Sequence, residues 1–239
     1  MFLIFLPCFR AFLCVDERVN SFLLIFPSSH VTNTTIVHQD RPSFYTERED
    51  GLYNLLPFFF AKQIGELPFD IFFSLVYSLP IYFMSQLDMT LDKILIFNGI
   101  VFLILFTARS MALAVGAAIP RFQQAAFTAN FMFTLFLLPC GFIVNLDTIW
   151  PGVAWTADIS FVAFSFQSLS INEFVGVEFN CPNLGNQTLC PITEGTQALE
   201  AFALEDKSIE WSAIYMSIVA IVFRTFYYFA MRFIDQRPR

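Results

Sequence analysis

Charged residues are scarce in this sequence. Of its 239 residues, 14% are charged, whereas 56% belong to the apolar and aromatic types, and the mean hydropathy is +0.62. Ordinary soluble domains carry about 25% charged residues, so a chain this poor in charge cannot cover its surface for water. The composition excludes an ordinary soluble domain and indicates a chain that is solvated by lipid.

The sequence also lacks clustered basic residues, has few histidines, and has no glycine-rich phosphate-binding loop. The 13 Lys and Arg residues are scattered and outnumbered by 20 acidic ones, whereas nucleic-acid binding needs clustered cations. The sequence has two histidines, His30 and His38, and they do not indicate a histidine-based metal site or a catalytic triad. None of the nine glycines opens the loop G-x-x-x-x-G-K-[ST] that cradles nucleotide phosphates. We therefore expect no nucleic-acid partner, no metal site, no catalytic residue and no ATPase site on this chain.

Four apolar stretches are long enough to cross a membrane. A hydrocarbon core of about 30 Å needs about 20 mostly apolar residues in a helix. In the first stretch, Pro68 is expected in the opening turn, where its missing N–H costs little. The sequence predicts an all-α integral membrane protein, a polytopic helical bundle. The predicted spans are Leu67 to Leu87, Ile94 to Ala118, Ala125 to Leu146 and Trp211 to Met231.

Two further apolar segments are interrupted. Trp150 to Leu169 has helix-breaking residues in its first half, among them Pro151, and is expected to form a re-entrant or interfacial element. Met1 to Pro27 is broken by a polar run, so residues 1–40 form an amino-terminal region of unassigned topology.

Charge asymmetry predicts the orientation of the spans. Basic residues gather on cytoplasmic loops, and here they mark the region before the first span, the turn at Pro120 and the tail after Met231. Residues 170–210 contain seven acidic residues and Lys207 as their single base. This loop is therefore expected outside, and the parity of the crossings agrees.

The predicted external loop carries a second signal. Cys181 and Cys190 bracket an N-glycosylation sequon that begins at Asn186. In an oxidising compartment such a pair closes a small disulfide ring, and we favour that interpretation because charge alone places the loop outside. Two free thiols and a chance sequon are the alternative.

Three charged residues fall inside predicted spans, and the two arginines among them are functional candidates. Asp70 lies about one turn inside its helix and is expected to snorkel or cap. Arg109 lies about two turns or more from either end of its span, so it needs a partner or water. Arg224 lies within the last span.

Four segments, in order and spacing, resemble the membrane domain of the G subfamily of ABC transporters, the white-pigment, sterol and multidrug half-transporters. They read PSFYTEREDGLYNLLPFFFAKQIGELPFD, SMALAVGAAIP, GFIVNLDTIWPGVAW and INEFVGVEFNC. The resemblance implies a bundle of the ABC-2 exporter type, with four spans, an amphipathic connecting helix and a re-entrant element. It divides the chain into 1–40, a coupling loop and connecting helix at 41–66, and a transmembrane domain at 67–239.

The resemblance also implies partners. The loop from Phe44 to Tyr53, with Glu47 and Arg48, is similar to the cytosolic element that contacts the nucleotide-binding domain. That domain would bind ATP and Mg²⁺, either in a missing part of the chain or in a partner. The protein would work in the membrane, with the plasma membrane as the default, as a homodimer or heterodimer of half-transporters.

Candidate substrate and gate residues come from the same resemblance. Asn130 and Thr134 lie one helical turn apart and offer an apolar wall two hydrogen-bonding groups, although hydrogen bonding between membrane helices explains them nearly as well. Cys181 and Cys190 match the ends of the family's external disulfide. The positions that match the cavity-facing side are Asn130, Phe133, Thr134 and Leu137, and those that match the apolar plug are Phe142 and Ile143.

Two functions fit these observations. The leading hypothesis is the transmembrane subunit, or a fragment, of an ATP-driven exporter that moves lipophilic or amphipathic substrates by alternating access. The alternative is a truncated membrane protein that dimerises with full-length relatives and modulates them without transporting. The absent ATPase loop and the altered amino-terminal region favour the alternative.

Overall fold

The structure, a computed structural model, describes residues 34, 37–84, 90–140, 151–176, 195, 197, 199 and 208–233. Within these residues the regular secondary structure is entirely helical, which confirms the all-α prediction. The helices of the described part are α1 (37–49), α2 (Leu55–Met84), α3 (Leu91–Ala118), α4 (Phe122–Leu137), α5 (Pro151–Ile159), α6 (Phe161–Phe174) and α7 (Ile209–Phe233).

Three of these helices are long and apolar enough to cross a membrane. Within the described residues they are Leu55–Phe83, Leu91–Ala118 and Ile209–Phe233, with 29, 28 and 25 residues. At 1.5 Å per residue, each is longer than a hydrocarbon core of about 30 Å. They correspond to the first, second and fourth predicted spans. Helix α4 has 16 residues, and residues 141–150 lie outside the described part, so the third span stays a prediction.

Helix α2 corrects the expected position of Pro68. The helix begins at Leu55 and runs without a break to Met84, so Pro68 lies in its interior and not in an opening turn. A proline removes one helical hydrogen bond, but ending the helix in lipid would leave several backbone groups unpaired. The connecting helix and the first span are consequently one element, with no boundary at Leu67.

Helix α1 corrects the expected coupling loop. Residues 37–49 are helical, so Phe44, Glu47 and Arg48 lie on a helix, and the chain leaves it through Gly51, whose φ is 71°. This left-handed conformation is the usual end of a helix at glycine. Val37 and Phe44 are buried two turns apart, and this apolar side holds α1 in helical form despite its many charges.

Helix α3 is the centre of the bundle. It packs against α2, α4, α6 and α7. Its buried residues from Ser110 to Ala117 are mostly small, which lets neighbouring helices approach closely. One core cluster joins α3, α4, α6 and α7 and includes Met111, Phe161 and Met216. A second joins α1, α3 and α7, with Phe59 of α2 packed against it.

The segment expected to be broken near Pro151 is instead broken at Ser160. Pro151 opens α5, and the helix continues to Ile159, because a proline is tolerated in the first turn. Ser160 is extended, and its hydroxyl caps α6 by accepting from Ala163 N at 3.2 Å. The same Oγ donates to Phe136 O at 2.5 Å, which ties the junction of α5 and α6 to α4.

Helix α1, the turn at Pro120 and the end of α7 lie at one end of the molecule. Arg41 of α1 donates to Pro120 O in the turn between α3 and α4, and Arg41 and Met231 line the same small pocket. At the other end, Asn172 of α6 donates to Lys93 O near the start of α3. The predicted alternation of crossings requires this arrangement. The side of the membrane that each end faces stays a prediction.

Candidate functional site

An ionic cluster joins α2, α3 and α7, three helices long and apolar enough to cross a membrane. Arg109 of α3 donates through Nη2 to Glu66 Oε2 at 2.6 Å, and through Nη1 to Asp70 Oδ1, both on α2. The three side chains are largely shielded, with 14% of Arg109, 23% of Glu66 and 14% of Asp70 exposed. Arg109 thus has the partners that the sequence required of it.

Asp70 does not snorkel or cap, contrary to the expectation from its position. Because α2 begins at Leu55, Asp70 lies in the middle of the helix and not near its end. Its carboxylate accepts from Arg109. Glu66 lies one turn before Asp70 and so shares its face. The sequence signal for this pair was two acids four residues apart, but it was hidden by the assumption that a span begins at Leu67.

Arg224 of α7 is the fourth charge of the cluster. Its Nε donates to Ser110 Oγ at 3.0 Å, and its guanidinium carbon lies 3.9 Å from the centroid of the Phe106 ring. Asp70 and Glu66 attract it electrostatically, and Arg109 repels it. A cation over a desolvated aromatic face is stabilised by about 2 kcal/mol. The contacts with Ser110 and Phe106 therefore fasten α7 to α3.

The four charges balance within the cluster. Two carboxylates, Glu66 and Asp70, face two guanidinium groups, Arg109 and Arg224. A buried charge without a counterion is strongly unfavourable, so this balance is what allows the cluster to exist between membrane helices. Some polar atoms of α2 and α3 stay unsatisfied: both amide atoms of Gln63 and Nε of Arg109 are buried without a hydrogen-bond partner in the described part of the chain.

The predicted coupling residues form a compact unit at the end of α1. Tyr53 Oη donates to Glu47 Oε2 at 2.5 Å, and the Tyr53 ring stacks on Phe58 with 5.2 Å between centroids. Phe44 packs on Phe58 at 4.9 Å and is 4% exposed. Burial and the contact with Glu47 raise the pKa of Tyr53 to about 12. Arg48 is exposed, so this unit presents it to solvent.

Two further residues attach α1 to the end of α3. Arg41 donates to Gly116 O at 2.7 Å, to Pro120 O at 3.2 Å and to Ile119 O at 3.4 Å. His38 Nε2 lies 3.2 Å from Ile119 O. Sequence reasoning did not assign these roles, because about 80 residues separate the partners and no local pattern pairs them.

The candidate substrate-binding residues of α4 do not share one exposed face. Thr134 is exposed and donates to Asn130 O at 2.9 Å. Asn130 is half-buried, and its Oδ1 has no hydrogen-bond donor among the described residues. Phe133 is buried against Phe161, and Leu137 packs on the same core. In this conformation two of the four residues face the interior of the bundle.

Several predicted positions lie outside the described residues. They are the gate residues Phe142 and Ile143, the cysteines Cys181 and Cys190, and the glycosylation site Asn186. Their roles stay predictions. Cys140, at the end of α4, is buried, as expected of a small apolar side chain.

Long apolar helices joined by a largely shielded ionic cluster are typical of a polytopic membrane protein. Comparison with known proteins identifies its family. Residues 19–174 match the model of the ABC-2 type transporter family. The chain belongs to this family, and it is a membrane domain of the G type of ATP-binding cassette proteins.

Relatives among characterised proteins confirm the resemblance. The chain is 35% identical over 203 residues to human ATP-binding cassette sub-family G member 8, covering 84% of this chain and 29% of that protein. It is 30% identical over 174 residues to the rat broad substrate specificity ATP-binding cassette transporter ABCG2, covering 71% and 26%. The chain thus spans less than a third of these relatives, and no nucleotide-binding domain is evident within its 239 residues.

Proposed function

We propose that this chain is the transmembrane part of an ATP-driven exporter that moves lipophilic or amphipathic compounds by alternating access. Family membership supports the role in export. ATP and Mg²⁺ would bind to a nucleotide-binding domain in the same polypeptide or in a partner, and two membrane domains would pair as a homodimer or heterodimer. The plasma membrane is the proposed location.

The observation that carries the proposal is the packing of α1 against α3 and α7. This helix bears the proposed coupling residues Glu47 and Arg48, and its buried face packs on α3 and α7 at the end of the bundle that also holds the turn at Pro120. A domain that pushes on α1 would therefore act on α3, which contacts most of the other helices. That is the arrangement a bundle needs if its motion is driven from outside the membrane.

The ionic cluster would make this motion collective. Arg109 joins α3 to α2, and Arg224 joins α7 to α3. Helices that share buried, charge-assisted bonds move together, because separating them would leave unpaired charges in lipid. We expect α2, α3 and α7 to tilt as one unit when α1 is displaced.

Helix α4 would supply the wall that contacts the substrate. The Oδ1 of Asn130 is buried and lacks a donor from the described chain, so a ligand hydroxyl would supply one when the bundle opens. The exposed side chains Phe127, Phe131 and Leu135 flank it with apolar surface. Phe133 and Leu137 would contribute only if the bundle opens. Phe142 and Ile143 would gate the exit, α5 and α6 would form the re-entrant element, and α4 would continue as the remaining span.

The predicted external loop, residues 170–210, would stabilise the outer end of the helical bundle. We propose that Cys181 and Cys190 form a disulfide and that Asn186 is glycosylated. These assignments rest on the sequence pattern and on the resemblance to the family.

Substrate-stimulated ATP hydrolysis tests the proposed function. The full chain is joined to the nucleotide-binding domain of a related transporter and reconstituted in lipid, and hydrolysis is measured with sterols, phospholipids and amphipathic dyes. At least one class should stimulate hydrolysis, and a variant without the phosphate-binding lysine of the added domain should show none. A flat response across all three classes would contradict the proposal.

A further inference from the structure

The end of α3 has a backbone acceptor that its own helix cannot satisfy. In an α-helix, the carbonyl of Gly116 would accept from the N–H of residue 120, but residue 120 is a proline and has none. The helix ends at Ala118, and Ile119 is extended. The carbonyls of Gly116 and Ile119 therefore need donors from elsewhere in the protein.

Arg41 supplies these donors from α1. Its Nη2 donates to Gly116 O at 2.7 Å and to Ile119 O at 3.4 Å, and its Nη1 donates to Pro120 O at 3.2 Å. Burial lowers the pKa of Arg41, but a guanidinium in a protein stays protonated. A fixed positive charge at the negative end of a helix dipole is favourable. The planar fork of the guanidinium thus replaces the missing helical donor and holds three carbonyls at once.

The close approach of α1 to α3 depends on Gly116 as well. A Cβ added at Gly116 would lie 3.4 Å from Val37 Cβ and 3.6 Å from Thr34 Cα. A larger side chain at this position would push α1 away from α3. His38 adds a contact to Ile119 O at 3.2 Å, and its ring meets Phe122 edge to face. Three independent features therefore fix α1 at this place.

The ion pair between α1 and α2 is open to water on one side. Lys62 of α2 pairs with Asp40, and 12% of the Lys62 side chain and 51% of the Asp40 side chain are exposed. Water therefore reaches the carboxylate and screens the pair in part. The contacts of Arg41 are charge-assisted and partly buried, so they hold α1 in place together with the buried side chains of Val37 and Phe44.

We infer that Arg41 is a positioning residue that fastens the coupling helix α1 to the end of α3, so that a displacement of α1 moves α3. The inference rests on the proposed function for its consequence, whereas the attachment itself is a property of the chain alone. Arg41 touches neither substrate nor nucleotide. Its role is to convert a contact at α1 into motion of the central helix.

Distance measurements on the full chain test the attachment. Spin labels carried by non-natural amino acids at exposed Ser43 of α1 and exposed Gln123 of α4 report the position of α1 in lipid nanodiscs. A second pair, at exposed Leu95 and Trp211, reports the opposite end of the bundle. Arg41→Gln should broaden the first distance distribution and leave the second unchanged. Arg41→Lys keeps the charge but loses the planar fork of donors, so it should broaden the first distribution less than Arg41→Gln does.

Gly116→Val gives the same test without altering a charge. It should displace α1 and broaden the first distribution, whereas Gly99→Val in the same helix should not, because nothing lies within 4 Å of a Cβ at Gly99. An unchanged first distribution in Arg41→Gln would overturn the inference. A change of both distributions would overturn it too, because Arg41 would then support the whole fold.

The second part of the inference, that a displacement of α1 moves α3, is tested in the chain joined to a nucleotide-binding domain. Arg41→Gln should keep basal ATP hydrolysis but lose substrate stimulation by at least about tenfold, the effect of removing a charge-assisted hydrogen bond. Arg41→Lys should recover part of it. Full stimulation in Arg41→Gln would contradict the inference. If the unmodified chain shows no stimulation, the proposed function fails, while the distance measurements still decide whether Arg41 positions α1.

Discussion

Arg109 of α3 and Glu66 of α2 are joined by a hydrogen-bonded ion pair of 2.6 Å between helices that are both long enough to span a membrane. Such a pair has little access to water that would screen it. It therefore binds the two helices more firmly than their apolar contacts alone, and it commits them to a fixed register.

Removing the arginine of this pair should destabilise the protein. Arg109→Met leaves Glu66 and Asp70 without their donor, and breaking a buried pair in this way costs about 3–5 kcal/mol. The free energy of unfolding in mixed detergent micelles measures the loss. Arg232→Met, at the exposed end of α7, is the control and should change it by less than about 0.5 kcal/mol. Equal effects of the two substitutions would show that the cluster does not hold α2 and α3 together.

Asp70 and Arg224 should compensate for each other. Arg224→Met leaves the cluster with one excess negative charge, and Asp70→Asn leaves one excess positive charge, whereas the double variant is neutral. The double variant should therefore lose less stability than the sum of the single variants, by about 0.5–3 kcal/mol. Asp70→Asn combined with Arg232→Met should be additive. Strict additivity of the Asp70 and Arg224 substitutions would contradict a shared charge balance.

Tyr53 should titrate late. Burial and the Glu47 carboxylate raise its pKa to about 12 from an ordinary value of 10.0. The neutral phenol therefore contributes stability that is fully present below about pH 10 and is lost as the pH rises through about 12. The difference in phenolate absorbance between the unmodified chain and Tyr53→Phe reports this titration. Glu47→Gln should move the titration of Tyr53 to lower pH, because the charged acceptor is gone. An unshifted titration would contradict the hydrogen bond between Tyr53 and Glu47.

Ser160 should be important for the junction of α5 and α6. Ser160→Ala removes the cap on Ala163 N and the bond to Phe136 O, which should lower the free energy of unfolding by about 1–2 kcal/mol. Ser217→Ala is the matched control, because within the described part of the chain the Ser217 hydroxyl donates to Ala213 O of its own helix and to no other element. It should have a much smaller effect, and similar losses would show that the junction is not held by Ser160.

The sequence predicted two of the three long helices of the described part well, and their polar contacts poorly. The ranges predicted within α3 and α7 differ from the observed helices by no more than three residues at either end, because long apolar runs must be helical in lipid. The need of Arg109 for a partner was also predictable from its depth. Its partners were not, because Pro68 looked like the start of a helix that in fact begins at Leu55.

The coupling segment shows a second limit. A dense run of charges looks like a loop when it is considered alone, yet α1 is helical because Val37 and Phe44 are buried against other helices. The attachment of Arg41 to Gly116 depends on a proline that removes a donor 79 residues away in the sequence. Contacts of this kind follow from the tertiary fold, and no local periodicity reports them.

Transport itself tests the central claim most directly. Inside-out vesicles that contain the full chain joined to a competent nucleotide-binding domain are given ATP and a labelled sterol, phospholipid or amphipathic dye. The account predicts ATP-dependent accumulation that is abolished when the phosphate-binding lysine of the added domain is replaced. Equal accumulation with and without ATP, for all three classes of compound, would contradict it.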